Sequence, residues 1–77
     1  MTCVRVDNAG VVQEIMRYMK EKVFICKKRY VCLKAKDFAT EKAYLNELMD
    51  ILRNVPIKTT FEIMYNYVRD EGECNAH

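Results

Sequence analysis

Residues 23–33 read VFICKKRYVCL, two apolar runs of four residues on either side of three consecutive basic residues. Because each run is apolar throughout, its pattern fits a strand and a helix equally well. Five of the eight apolar positions hold β-branched or aromatic residues, which favours strands. This stretch therefore decides the fold class, and we predict a β-hairpin over it.

The rival interpretation is one long helix over residues 9–35. Apolar residues recur along it at the alternating spacing of four and three that a coiled-coil seam requires, at Val12, Met16, Met19, Val23, Cys26, Tyr30 and Leu33. That helix would leave Phe24, Ile25 and Val31 off the seam. The hairpin, in turn, would have to form a turn over 27–29 without the Gly, Asn or Asp that tight turns prefer. The all-α alternative therefore stays open beside the favoured hairpin.

A short strand and a helix are predicted before the hairpin. Residues 1–6 alternate with the period of two of a half-buried strand. One side of this strand carries Thr2, Val4 and Val6, and the other carries Cys3 and Arg5. Asp7 or Asn8 can then cap a helix over residues 9–21, whose apolar side chains recur at helical spacing.

Two more helices are predicted after the hairpin. Asp37 can cap a helix from about Phe38 to Asn54, which Pro56 ends. Its buried side would hold Tyr44, Leu45, Leu48, Ile51, Leu52 and Val55. The sequence from Thr59 to Glu62 has the form of a capping box, so a final helix should run to about residue 71. We expect one α+β domain over residues 1–77 in the order β-α-β-β-α-α, with 73–77 frayed.

Positive charge is concentrated in residues 17–36. Eight of the thirteen basic residues lie there against a single acidic one, a net charge of +7, whereas the rest of the chain carries −5. A concentrated positive surface is the usual electrostatic footprint of a polyanion-binding protein. The predicted nucleic-acid-binding residues are Lys20, Lys22, Lys27, Lys28, Arg29, Tyr30, Lys34 and Lys36. The alternative is that these charges pair with the acidic remainder or protect a sheet edge from aggregation.

The residue inventory argues against catalysis. The chain has no serine, its one histidine is the last residue, and its two glycines lie far apart. These absences exclude a serine nucleophile, an internal histidine base and a glycine-rich phosphate loop. We therefore expect a non-enzymatic protein without a cofactor.

The four cysteines are expected to be reduced thiols, because the chain has no secretion signal. Cys26 and Cys32 would be buried on one face of the hairpin, beside Phe24 and Tyr30. Together with Cys74 and His77 they would be the only ligand set for a zinc ion, but their spacing is not that of a zinc knuckle. We predict no metal site, an intracellular location and no membrane contact.

The last two predicted helices carry more apolar side chains than one packing face needs. Met49, Ile63, Met64 and Tyr67 are accordingly predicted to form a partner interface, with a homodimer as its simplest use. The favoured function is a regulatory module that contacts the phosphate backbone of DNA or RNA through residues 17–36. The alternative is a small protein-binding inhibitor or adaptor. Small size and polarised charge resemble the compact regulators that phages and viruses encode.

Overall fold

The stretch 23–33 forms a β-hairpin. In the computed structural model, which describes residues 1–66, strand β2 (Val23–Cys26) pairs antiparallel with strand β3 (Tyr30–Leu33). The α+β prediction is thereby confirmed and the long-helix alternative is excluded. The turn contains no Gly, Asn or Asp. It forms because Lys27 and Lys28 themselves adopt the positive φ angles that the turn requires, of 46° and 31°. Two L-residues therefore occupy a backbone region that normally favours glycine.

The hairpin belongs to a four-stranded antiparallel sheet with the strand order β2-β3-β1-β4. Strand β1 is Cys3–Val6 and strand β4 is Phe61–Met64. Helix α1 (Ala9–Met19), followed by a 3-10 turn at Lys20–Lys22, connects β1 to β2, and helix α2 (Phe38–Asn54) connects β3 to β4. Strand β3 lies between β1 and β2, and β1 lies between β3 and β4. Each helix therefore crosses over the one strand that separates the two strands it connects, which is the split β-α-β arrangement.

The two faces of the sheet have different environments. Val4, Val6, Val23, Val31 and Leu33 are buried in one core with α1 and α2. The opposite face, which we call the cysteine face, holds the fully buried Cys3, Cys26 and Cys32, with Phe24, Tyr30 and Met64 packed around them. The predicted alternation of β1 and the predicted burial of Cys26 and Cys32 beside Phe24 and Tyr30 are both confirmed.

Both predicted helix caps are confirmed. The side chain of Asn8 accepts hydrogen bonds from the first amides of α1, and the side chain of Asp37 accepts one from the Thr40 amide of α2. Helix α2 presents the predicted apolar stripe to the core, with Leu48 fully buried at its centre. No helix among residues 1–66 is both long and apolar enough to span a membrane.

The predicted final helix is wrong at its start, where the chain forms strand β4. Thr59, the threonine of the predicted capping box, does not cap a helix, because its hydroxyl donates to the Thr60 carbonyl. Thr60 in turn is bound to Asp7: its hydroxyl donates to the Asp7 carboxylate and its carbonyl accepts from the Asp7 amide. Strand β4 then pairs with β1, and Ile63 packs against the main core while Glu62 binds Arg5. Pairing along β1 thus outweighs the local capping signal. The remainder of the predicted helix lies outside the described residues, apart from a turn at Tyr65 and Asn66, and so does the prediction that residues 73–77 are frayed.

The expectation of reduced thiols is also wrong. Cys3 and Cys32 form a disulfide between β1 and β3, and none of the three described cysteines is a free thiol. The hydrogen bonds Leu33 N–H to Thr2 O and Val6 N–H to Arg29 O place Cys3 and Cys32 at a non-hydrogen-bonded pair. Side chains come closest together at such pairs, so this register brings the two sulfurs within bonding reach.

Candidate functional site

Basic side chains surround an open cavity at the tip of the hairpin. The cavity has a volume of about 500 Å³ and is lined by Arg5, Asp7, Lys27, Lys28, Arg29 and Tyr30. Three structural elements supply these residues: the turn, the first residue of β3, and the end of β1. Arg5 and Tyr30 are direct partners across β1 and β3. The sheet register therefore brings Arg5 and Asp7 to the predicted basic turn.

The single carboxylate of the cavity is already occupied. Asp7 accepts hydrogen bonds from the Arg5 guanidinium and from the Thr60 hydroxyl. Arg5 also donates from Nη2 to Glu62 Oε1 at 3.2 Å, so its charge is compensated by two carboxylates. Consequently Arg5 and Asp7 form a fixed wall of the cavity rather than a source of strong attraction or repulsion for an anion.

Lys28 and Arg29 supply the uncompensated charge. Arg29 donates from Nη1 to the backbone carbonyl of Asp7 at 3.4 Å, a long contact with a neutral acceptor. Within residues 1–66, no carboxylate forms an ion pair with Lys28 or Arg29. Both side chains are exposed. The tip of the hairpin therefore presents positive charge to solvent beside a concave surface, which focuses the field on an approaching anion.

An aromatic ring forms another wall of the cavity. Tyr30 is half-buried, because it packs against the cysteine face. The Lys27 ammonium lies 5.5 Å from the centre of its ring, within the range of a cation–π contact. A second contact of this kind joins Lys34 and Phe24 at 6.0 Å. Lysine side chains thus contact aromatic rings at both ends of the hairpin.

The remaining predicted basic residues lie at the other end of the hairpin. Lys20, Lys22, Lys34 and Lys36 are exposed there, and the Lys34 amide donates to the Lys22 carbonyl at 2.8 Å. Lys22 is partly neutralised, because its ammonium lies 3.1 Å from Glu47 Oε1 and 5.7 Å from the Tyr44 ring centre. A four-residue strand spans about 13 Å. The eight predicted residues are accordingly split into a tip cluster (Lys27, Lys28, Arg29, Tyr30) and a base cluster (Lys20, Lys22, Lys34, Lys36).

The predicted partner interface is not brought together as one surface. Met49 and Ile63 both pack, partly buried, against the main core. Met64 lies on the opposite side of the sheet, against the cysteine face. Tyr67 lies outside the described residues. The apolar excess that suggested an interface is explained for Met49 and Ile63 by packing against the core.

The cysteines considered as zinc ligands have other roles in the structure. Cys32 is bonded to Cys3, and Cys26 is not a free thiol. In the part of the chain from Met1 to Asn66, no three His, Cys, Asp or Glu side chains are grouped so as to hold a metal ion. Cys74 and His77 lie outside that part.

Arg5 and Asp7 are the site residues that the sequence analysis missed. The period of two in β1 did place Arg5 on the side of the strand away from the valines. Its position beside Tyr30, however, depends on pairing between residues 25 positions apart in the chain, and the alternation within β1 fixes which face Arg5 occupies but not which strand pairs with it. No protein-family model, curated protein or solved structure matches this chain.

Proposed function

We propose that this chain is a non-enzymatic nucleic-acid-binding module that contacts the phosphate backbone through its basic hairpin, in a regulatory role. The observation that carries the proposal is the cavity at the tip, where Lys28 and Arg29 lie beside the Tyr30 ring and no carboxylate of residues 1–66 forms an ion pair with them. Lysine and arginine gain affinity for nucleic acid by displacing condensed counterions, so the binding depends strongly on salt.

The two basic clusters favour a polymeric anion over a single small one. They lie at opposite ends of a hairpin about 13 Å long, and successive phosphates of one strand advance about 3.4 Å along a duplex. A backbone of about four nucleotides therefore reaches from the tip cluster to the base cluster. Contacts of this type position the ligand and carry little sequence information.

The test compares two triple variants with the same change in charge. The first replaces the tip cations (Lys27→Glu, Lys28→Glu, Arg29→Glu), and the control replaces exposed cations outside residues 17–36 (Lys42→Glu, Arg53→Glu, Lys58→Glu). We expect the first to bind a fluorescent 20-nucleotide strand at least tenfold more weakly than the control at about 50 mM salt. Circular dichroism confirms that both variants are folded.

Two outcomes contradict the proposal. One is that the unmodified protein binds neither DNA nor RNA, single-stranded or duplex, at low salt. The other is that both triple variants lose affinity equally, which would mean that overall charge rather than the hairpin determines binding. A smaller slope of log affinity against log salt in the tip variant, by roughly 0.7 to 0.9 per lost phosphate contact, would identify the lost contacts directly.

Self-association as a homodimer completes the proposal, and sedimentation at several protein concentrations tests it. The predicted intracellular location is less well supported, because Cys3 and Cys32 form a disulfide instead of the reduced thiols expected there, and disulfides persist mainly in oxidising compartments. The protein-binding alternative is less well supported, since Met49 and Ile63 pack against the core rather than forming an exposed patch.

A further inference from the structure

The cavity at the hairpin tip is larger than a backbone contact requires. Its volume of about 500 Å³ lies within the range of sites that enclose small organic ligands. A phosphate group alone would leave most of this space empty. A nucleoside with its phosphate would fill far more of it, with the flat base against the aromatic wall and the phosphate near the cationic turn.

The charge of the cavity suits a phosphate with two negative charges. Among its lining residues, Lys28 and Arg29 carry two positive charges that no carboxylate of residues 1–66 neutralises, whereas Arg5 is already compensated by Asp7 and Glu62. A phosphate monoester carries about −1.5 to −2 charges at pH 7. A phosphate inside a nucleic-acid strand is a diester with a single charge. Monoester phosphates occur at the ends of strands and on free mononucleotides, so the charge favours an end over the interior of a strand.

The geometry assigns separate roles to the residues of the cavity. Arg29 makes only a long contact with the Asp7 carbonyl through Nη1, and one guanidinium can offer two parallel N–H groups to a phosphate. Lys28 adds a second cation from the adjacent turn position. The Tyr30 ring packs, partly buried, on the cysteine face, and nucleic-acid bases stack favourably on aromatic rings of this kind.

We propose that this cavity binds the phosphorylated terminal nucleotide of a nucleic-acid strand, with Lys28 and Arg29 on the phosphate and Tyr30 against the base. This inference rests on the proposed function and adds to it the class of ligand, a single-stranded end.

The test uses one 12-nucleotide sequence in three forms: with a 5′-phosphate, with a 3′-phosphate, and with hydroxyl groups at both ends. We expect one phosphorylated form to bind at least tenfold more tightly than the hydroxyl form. The double variant Lys28→Gln, Arg29→Gln should remove this preference. The matched variant Lys34→Gln, Lys36→Gln in the base cluster should weaken all three strands while leaving the preference intact.

Competition with small molecules separates the possible sources of phosphate. Adenosine monophosphate should displace the phosphorylated strand, whereas adenosine and inorganic phosphate at the same concentration should not. Equal displacement by inorganic phosphate would show a simple anion site and overturn the nucleotide assignment. Tyr30→Phe should keep the affinity for the mononucleotide, because the ring is retained.

The outcomes distinguish this inference from the proposed function. Equal affinity for all three strands, with salt-dependent binding intact, overturns the terminal-nucleotide site and leaves backbone binding standing. Absence of binding to every strand overturns both. A preference that survives in the Lys28→Gln, Arg29→Gln variant would place the end-binding site elsewhere and overturn the assignment to this cavity.

Discussion

Arg5 lies directly opposite Tyr30 across strands β1 and β3, one pair further along the same face than the Cys3–Cys32 disulfide. The disulfide therefore fixes the register that places an arginine and an aromatic ring together at the hairpin tip. A slip of one residue would turn every side chain of β1 to the other face of the sheet. The covalent bond and the cavity are thus parts of the same strand pairing.

Removal of the disulfide should destabilise the fold strongly. The bond joins residues separated by 29 positions. Closing a loop of that size lowers the conformational entropy of the unfolded chain, which stabilises the folded state by about 3–4 kcal/mol. We expect Cys3→Ala, Cys32→Ala to lower the free energy of unfolding by about that amount in urea titrations. The unmodified protein in excess reductant should lose at least as much stability, because reduction also breaks the disulfide that holds Cys26. Unchanged stability under reduction, with both thiols shown free by alkylation, would contradict the stabilising role of the bond.

The hairpin turn should become more stable when glycine replaces Lys28. A side chain at positive φ costs about 1–2 kcal/mol, and glycine avoids that cost. We expect Lys28→Gly to raise the free energy of unfolding by about 1 kcal/mol. Arg29→Gly is the matched control, because Arg29 is not at positive φ and its replacement should give no gain. Equal effects of both substitutions in thermal unfolding would show that the turn is not strained at Lys28.

The contrast between the hairpin and β4 shows how far local sequence determines this fold. Helix α2 could be predicted from its cap to its last residue, since Asp37 and a continuous apolar stripe lie in one segment. The hairpin was favoured by β-branched and aromatic residues despite an unfavourable turn. Strand β4 was missed because its partners, Arg5 and Asp7 in the first seven residues, are distant in sequence. The site followed the same rule: the turn lysines could be predicted, but Arg5 could not.

A charge at Ile63 should unfold the protein rather than only disrupt a partner interface. Ile63 packs against the main core on the helix-facing side of β4. We expect Ile63→Asp to lower the free energy of unfolding by more than about 2 kcal/mol, because it places a carboxylate against that core. Tyr65→Asp is the control, since the Tyr65 side chain is 64% exposed. A stable Ile63→Asp variant that loses only self-association in sedimentation would instead restore the predicted interface.

The cap of α2 should make stability sensitive to acid. Hydrogen bonds from the backbone amide and then the side chain of Thr40 lower the pKa of the Asp37 carboxyl below its ordinary value of 3.8. A group whose pKa is lowered on folding stabilises the fold above its unfolded pKa, and this stabilisation is lost as the pH falls through the folded pKa. Asp37→Asn keeps a capping oxygen but does not titrate.

The free energy of unfolding should therefore fall more steeply in the unmodified protein than in Asp37→Asn as the pH is lowered from about 5 to 2. All other carboxylates are common to both proteins, so the difference between the two curves isolates Asp37. A direct measurement is the NMR titration of the Asp37 side-chain carbon, which should have its midpoint below 3.8. Parallel stability curves together with a midpoint at or above that value would show that the cap does not bind the ionised carboxylate preferentially.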